Sequence, residues 1–361
     1  MPDPPLLDGT RVVELATLVA GPFCGLTLAD LGADVVKVEQ PRGDESRTFP
    51  PFAPGGESAY FHALNRGKRS VVVEDADLRR LVEAADVVID NVGRARLGFG
   101  PSDMPDRLVW CSITGHGVER GRRAMDPSLQ ATMGLMEVTG ERDGPPQRVP
   151  VPLIDFMTGM YAAQSILAAL WRAERTGNGA HLDCALFDSA AALTSPLALF
   201  SLSGDFEPNR IGSESYVRVP SAVFETADGA HVQVVALHDR HWEGLCEALD
   251  RRDWIEDERC ATGDARLANR ELVHDRIAEV IATGPADGWV ERINEAGGMC
   301  ERLRGLGEAW RDPLLAERGL VGELDGGPFD FPLPVVSLAR PAKLVPGPAL
   351  GEHTDEVLAG L

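Results

Sequence analysis

The first forty residues alternate in a way that leaves few folds open. Arg11 to Leu15 is a short β-branched run, Ala20-Gly21-Pro22 opens an apolar-periodic stretch reaching Leu31, and Asp34-Val35-Val36-Lys37-Val38-Glu39 is a second β-branched run. Strand, helix and strand at this spacing make a βαβ unit, whose parallel strands need helices over both faces. Further strands are expected at Ser70 to Glu74, Asp86 to Ile89 and Arg107 to Ile113, with a helix at Ala76 to Ala85. Short, near-continuous valine and isoleucine runs of this kind predict a doubly wound α/β domain.

From Asp155 the pattern changes. A long helix is expected from Phe156 to Arg175, closed by Thr176-Gly177-Asn178-Gly179, where glycine and asparagine suit a left-handed cap. A strand at His181 to Phe187 and another helix follow, and the polar stretch Gly204 to Gly212 reads as a linker. Val217 to Thr226, the turn Ala227-Asp228-Gly229 and Val232 to Ala236 form a hairpin signal, followed by charged, tryptophan-containing helices to about 315. Beyond about 320, six prolines between Pro328 and Pro348 make an extended tail ending in a short helix.

Charge narrows the classes of function. With 56 acidic against 35 basic side chains the formal charge is −21, which argues against nucleic-acid binding, since that requires a basic face to displace counterions. Neither a run of 18 apolar residues nor a secretory n-region and h-region occurs, so no membrane span or secretion signal is expected. The cysteines, Cys24, Cys111, Cys184, Cys246, Cys260 and Cys300, fall singly and read as reduced thiols of a cytoplasmic protein, with no metal-ligand spacing. Basic residues nevertheless form islands at Asn65 to Ser70 and across Asn91 to Arg123, which suggests an anion site or simple surface compensation. Lys37 and Lys68 are two of only three lysines, the third being Lys343.

Gly21 and Gly25 open the first helix, but neither GxGxxG nor GxxxxGK[ST] is present, which disfavours an ordinary dinucleotide or ATP fold. The same turn still places helix N-terminal amides at the carboxyl edge of the sheet, where ligands sit. Asp155, in Val151-Pro152-Leu153-Ile154-Asp155-Phe156, reads either as a helix N-cap or as a half-buried nucleophile or base. His238 and His241 lack a third ligand, and His116 follows a sheet strand.

Taken in order, Leu7-Asp8-Gly9, Val12-Val13-Glu14-Leu15, Ala20-Gly21-Pro22, Leu31 to Glu39, Asn65 to Ser70, Ala85-Asp86-Val87-Val88, Arg96-Leu97-Gly98, Ile154-Asp155, Glu174-Arg175-Thr176-Gly177 and Leu350 to Leu358 resemble the class III coenzyme A transferases. That group includes formyl-CoA and carnitine-CoA transferases and the 2-methylacyl-CoA racemases. The resemblance implies a large Rossmann-like domain (1–205 plus 320–361) with an inserted smaller α+β domain (217–315), linkers at 206–216 and 316–319, and an interlocked homodimer. It implies coenzyme A and acyl-CoA as substrates, with a small carboxylic acid, and no permanently bound cofactor.

It also assigns roles. Asp155 attacks the thioester to give a mixed anhydride. Val19, Ala20, Gln40, Val73, Asn91, Val92, Gly93, Arg96 and Arg123 bind CoA, the two arginines facing phosphates. Gln40 replaces an adenine-stacking arginine, and the stretch between Asn91 and Arg96 is shorter than the family's usual one. His116, Met125 and Asp126 line the substrate pocket. Met125 stands where racemases carry a proton-transferring histidine and transferases a tyrosine, and a thioether cannot relay a proton. CoA transfer is therefore the expected activity. Racemisation through α-proton exchange, CoA binding without turnover and an oxidoreductase are the alternatives. Ser213 to Tyr216 replaces the glycine-rich lid of the formyl-CoA enzyme, which disfavours oxalate-type acids.

Overall fold

The computed structural model describes residues 4–93, 97–325, 327, 329, 333–334 and 344–361. It resolves into two compact units, Met1–Gly134 with Val149–Pro196 and Asp312–Leu361, and Leu135–Arg148 with Leu197–Arg311.

The first unit is built on six parallel strands: β1 (Arg11–Glu14), β2 (Asp34–Val38), β3 (Arg69–Val71), β4 (Val87–Asp90), β5 (Val109–Thr114) and β6 (Ala180–Ala185). Their order is β3-β2-β1-β4-β5-β6. Val12 aligns with Val35 on one side and Val87 on the other, so the order reverses between β1 and β4. A crevice at the carboxyl ends of the strands is expected at that point.

Alternation along each strand feeds two cores. Val12, Val35, Val87, Ile89, Val109 and Cys111 pack with Cys24 and Leu28 of α1 (Ala20–Asp30). Ile154, Ala162 and Ile166 from a 24-residue helix, Leu153–Thr176, join them. On the opposite face Val13, Val36, Val71, Val88 and Trp110 meet Leu78, Leu81 and Val82 of helix Asp75–Ala84, with Val357 from the tail. α1 carries apolar residues all round because it is covered by the sheet and by the 24-residue helix. That helix ends at Gly177 with φ 75°, the left-handed cap expected from its sequence.

The second unit holds antiparallel β7 (Ser221–Glu225), β8 (His231–Val235) and β9 (Met299–Arg302) in that order. Trp242, Ile277, Trp289 and Ile293 pack on its core. The segment read as a linker, 206–216, is instead tied into this unit. The Gly212 N–H donates to Gly140 O at 3.0 Å, Arg210 Nε donates to Gly144 O at 2.9 Å, and Glu214 pairs with Arg270 at 2.8 Å. Residues 197–205 and 135–148 join it as well, and 312–319 belong to the first unit. Sequence composition marked the glycines and prolines there, but long-range pairing decides which unit holds them.

Two helices, Leu153–Thr176 and Leu186–Ser203, are long and apolar enough to cross a membrane by length and composition, although neither is an uninterrupted apolar run. The first is explained by its packing against α1 and the sheet.

Candidate active site at the carboxyl edge of the sheet

At the reversal point two loops are laced together. The Leu15 N–H donates to Ile89 O at 2.8 Å, the Thr17 N–H to Asn91 Oδ1 at 3.1 Å, and Asn91 Nδ2 returns a bond to Thr17 O at 3.0 Å. Asp90 Oδ1 accepts the amides of Val92 and Gly93 at 2.8 and 3.0 Å, bending the chain sharply past β4, with Gly93 at φ 81°. Leu18 has φ 70°, a left-handed conformation that a branched side chain enters only when its surroundings impose it. The helix α1 then begins at Val19 and Ala20 with no side chain capping its first amides. Gly21 permits the tight turn, because a Cβ there would stand 2.1 Å from Ala16 Cβ.

Asp155 lies in the first turn of helix Leu153–Thr176, within its helical residues. The N-cap reading is therefore corrected: the cap comes from another helix. Asp126 Oδ2 accepts the Ile154 N–H at 2.8 Å and the Asp155 N–H at 3.4 Å, while Asp126 Oδ1 takes a bond from Gln130 Nε2 at 2.6 Å. One turn after Asp155, Gly159 meets α1 so closely that a Cβ would lie 2.6 Å from Ala20 O. Residues four apart share a helix face, so Asp155 lies one turn from this contact, on the side of its helix that faces α1. Phe156 packs edge-on against Phe23 at 4.9 Å, in a small apolar cluster with Val19, Leu18 and Tyr60.

These surroundings set the carboxyl's acidity. Burial, and secondly the charge of Asp126, push Asp155 up to about 7. The Tyr60 hydroxyl is raised by burial and then by Asp155, which places the two within electrostatic reach. A carboxyl buried against apolar side chains and a like charge is poised to exchange a proton or to attack near neutral pH.

The structure thus brings Val19, Ala20, Asn91, Val92 and Gly93 to the strand-order reversal, with Asp155 one turn from the contact of its helix with Ala20. Gln40, exposed just past β2, and half-buried Val73, just past β3, lie along the same edge on outer strands. Arg96 lies outside the described residues. Past β5, Arg123 is exposed and forms no ion pair with a described residue. Met125 is 65% exposed, whereas Asp126 is 3% exposed. His116 Nδ1 donates to Arg122 O at 3.3 Å and its ring stacks on Phe187 at 5.4 Å, so it braces its own loop. Among the described residues no group of three His, Cys, Asp or Glu side chains could hold a metal ion.

The basic island at 65–70 is corrected as an anion site. Arg66 is bound bidentately by Asp30, Lys68 is buried on Glu14, and Arg69 pairs with Asp34 and Glu356. Each of its three charges is paired with a carboxylate of the same fold, two of them in buried pairs. Residues that sequence reasoning missed include Tyr60, Leu18 and Gly159. Of these only Gly159, a glycine inside a strong helical pattern, carried a readable signal.

A parallel sheet with this strand order, an uncapped helix start at its reversal and a buried carboxyl on the helix packed against it make this edge the candidate active site of an α/β protein. Residues 7–354 match the CoA-transferase family III, and the chain belongs to that family. It is 36% identical to a succinyl-CoA:mesaconate CoA-transferase of Haloarcula hispanica, over 98% of this chain and 95% of that one. It is also 36% identical to a succinate–glutarate CoA-transferase of Agrobacterium fabrum, over 99% and 96%. The crystal structure of a CAIB/BAIF family protein from Brucella suis superposes with TM-score 0.85 at 33% identity, covering 99% of this chain and all of that one.

Proposed function

We propose that this enzyme moves coenzyme A between an acyl-CoA and a small organic acid of the succinate–glutarate class through an anhydride on Asp155. The observation that carries the mechanism is the buried Asp155 carboxyl, raised to about 7, on a helix whose next turn touches Ala20 at the uncapped start of α1. The carboxylate adds to the thioester carbonyl, the C–S bond breaks, and CoA leaves as the thiolate, giving an aspartyl acyl anhydride. The thiolate then attacks the aspartyl carbonyl of this anhydride, releasing the donor acid and leaving an aspartyl-CoA thioester. The acceptor carboxylate displaces CoA from it to form a second anhydride, and the thiolate attacks the acceptor's acyl carbonyl to give the new acyl-CoA and free Asp155. Fixed orientation supplies the effective molarity that a carboxylate lacks in water, and helix amides stabilise the developing oxyanion. Val19, Ala20, Asn91, Val92 and Gly93 would receive the CoA at the reversal point, with Gln40, Val73, Arg96 and Arg123 along its course. Relatives named for succinyl-CoA with mesaconate or glutarate support the substrate class.

The reading extends to a cytoplasmic homodimer in which the second unit is an insertion between segments of the first. Racemisation is disfavoured because Met125, a thioether, cannot return a proton at the position of the racemases' histidine. Incubation with succinyl-CoA and glutarate should yield glutaryl-CoA, and hydroxylamine or borohydride should leave an adduct or a reduced residue at Asp155. Exchange of the α-proton with deuterated water, with no trapped Asp155, would overturn the assignment.

A further inference from the structure

Four charged side chains lie sealed in the first unit, and the aspartyl chemistry uses none of them. Lys37 Nζ stands 2.8 Å from Glu14 Oε1 and 2.9 Å from Asp44 Oδ2, and Lys68 Nζ stands 2.7 Å from Glu14 Oε2, with all four side chains at 0% exposure. The carboxylate of Glu14 reaches Lys68 across α1 only because residue 25 is glycine: a Cβ there would be 1.9 Å from Glu14 Oε2.

What these charges grip is the backbone of one turn. Lys37 Nζ donates to Ala16 O at 2.8 Å and Lys68 Nζ to Pro22 O at 2.8 Å. Asp44 Oδ1 accepts the Leu18 N–H at 3.3 Å, beside the Thr17 bonds to Asn91. Leu18, at φ 70°, is at the centre of the grip. Buried charges are a poor source of stability, because desolvation offsets their attraction and apolar groups often do as well. Burial pulls the Lys68 ammonium down to about 8 even with Glu14 against it. A strained residue held by costly charges marks a geometry kept for function.

We infer that Glu14, Lys37, Asp44 and Lys68 are positioning residues that act through Ala16, Leu18 and Pro22 to fix the turn presenting Val19 and Ala20 to coenzyme A. This rests on the CoA-transfer reading above. A turn already ordered loses less entropy on binding, so loosening it weakens CoA binding first and leaves the acid acceptor unaffected.

The test uses the full chain and free coenzyme A by titration calorimetry, with hydrogen exchange at the amides of 16–21. Asp44→Asn keeps shape and removes one charge, and Lys68→Met removes the ammonium. Leu81→Ala, on the opposite face of the sheet, is the control for lost stability. Asp44→Asn and Lys68→Met should each weaken CoA binding by roughly tenfold, about the size of one lost charge-assisted contact. Both should speed exchange at 16–21 and leave the KM for the acid within twofold of wild type. Leu81→Ala should lower Tm without either change. A folded Asp44→Asn with wild-type CoA affinity and wild-type exchange at 16–21 overturns the inference, and it decides alone if Lys68→Met does not fold. If wild type binds no coenzyme A, the CoA-transfer reading fails instead, and unchanged exchange at 16–21 in Asp44→Asn still refutes the grip.

Discussion

The two ends of the parallel sheet draw on the same acidic and basic residues and treat them in different ways. At the amino edge the pairs of Arg107 with Asp86, at 3.1 Å, and of Arg69 with Asp34 and Glu356 are partly exposed, and one pair, Arg66 with Asp30, is buried. At the carboxyl edge Glu14, Lys37, Asp44 and Lys68 are sealed, and Asp126 is buried under the helix that carries Asp155. Exposed pairs contribute little and are easily lost, whereas buried charge must be compensated atom by atom. The difference teaches where the molecule accepts cost. The strained Leu18 and a connected cluster of four sealed charges gather at the edge where the strand order reverses, whereas the other edge has one buried pair, Arg66 with Asp30, beside screened ones.

Substitutions at the carboxyl edge should therefore separate activity from stability. The largest effect is expected from Asp155→Asn, with turnover falling roughly 10³-fold or more while CoA affinity changes little, as read by product formation and calorimetry. Its stability should move the other way. A carboxyl whose folded value is about 7 holds a proton between about 4 and 7 that the unfolded chain has released. Its contribution is fully present below about 4 and is lost as pH rises through 7, so ionised Asp155 destabilises the fold at pH 8. Asp155→Asn should have a Tm at pH 8 equal to or above that of wild type. A clear fall in Tm would show that the carboxylate is structural.

Gly159→Ala comes next. The added methyl meets Ala20 O, a backbone atom that cannot swing aside. Separation of the two helices should cost roughly 1–3 kcal/mol and, through misplacement of Asp155, about 10²-fold in kcat. Loss of stability with kcat intact would show that the close contact does not register the carboxyl.

Asp126→Asn sharpens the same comparison by pH. The rise of kcat/KM with pH should have its midpoint near 7 in wild type, as Asp155 ionises. Removing the neighbouring charge should move that midpoint down, but not to the ordinary carboxylate range, because burial is the larger cause. The amide oxygen still accepts the Ile154 N–H, but the new NH2 faces Gln130 Nε2, so stability should fall by roughly 1–3 kcal/mol while the fold is kept. An unmoved midpoint would mean that Asp126 serves only as a cap.

Much of this edge is legible in the sequence alone. The βαβ pattern, the valine runs and the Gly-Asn stop of the long helix are local signals, and they placed α1, β1, β2 and Asp155 within a few residues. The role of Asp155 was not a local signal: an aspartate before an apolar helix looks like a cap, and only the arrival of Asp126 from 29 positions earlier frees it. The 65–70 island misled for a related reason. Its local charge balance is positive, but Asp30, Glu14 and Asp34 arrive from strands and helices distant in sequence. Leu18 gave no warning, since nothing in its identity records a positive φ.

The smallest effect should come from the amino edge. Asp86→Asn keeps an oxygen for the Arg11 N–H, which donates to Asp86 Oδ2 at 2.9 Å, and removes the charge facing Arg107. Both side chains of that pair are about a third exposed or more, at 45% and 33%, so water already screens them. Arg107 also keeps its bonds to Ala85 O and Glu83 O, which do not depend on the carboxylate. The loss should be within about 1 kcal/mol by denaturant unfolding, shrinking further in high salt, with CoA affinity and kcat within twofold of wild type. A fall in kcat at unchanged stability would mean that the amino edge, too, is tuned to the chemistry, and the contrast between the two ends would fail.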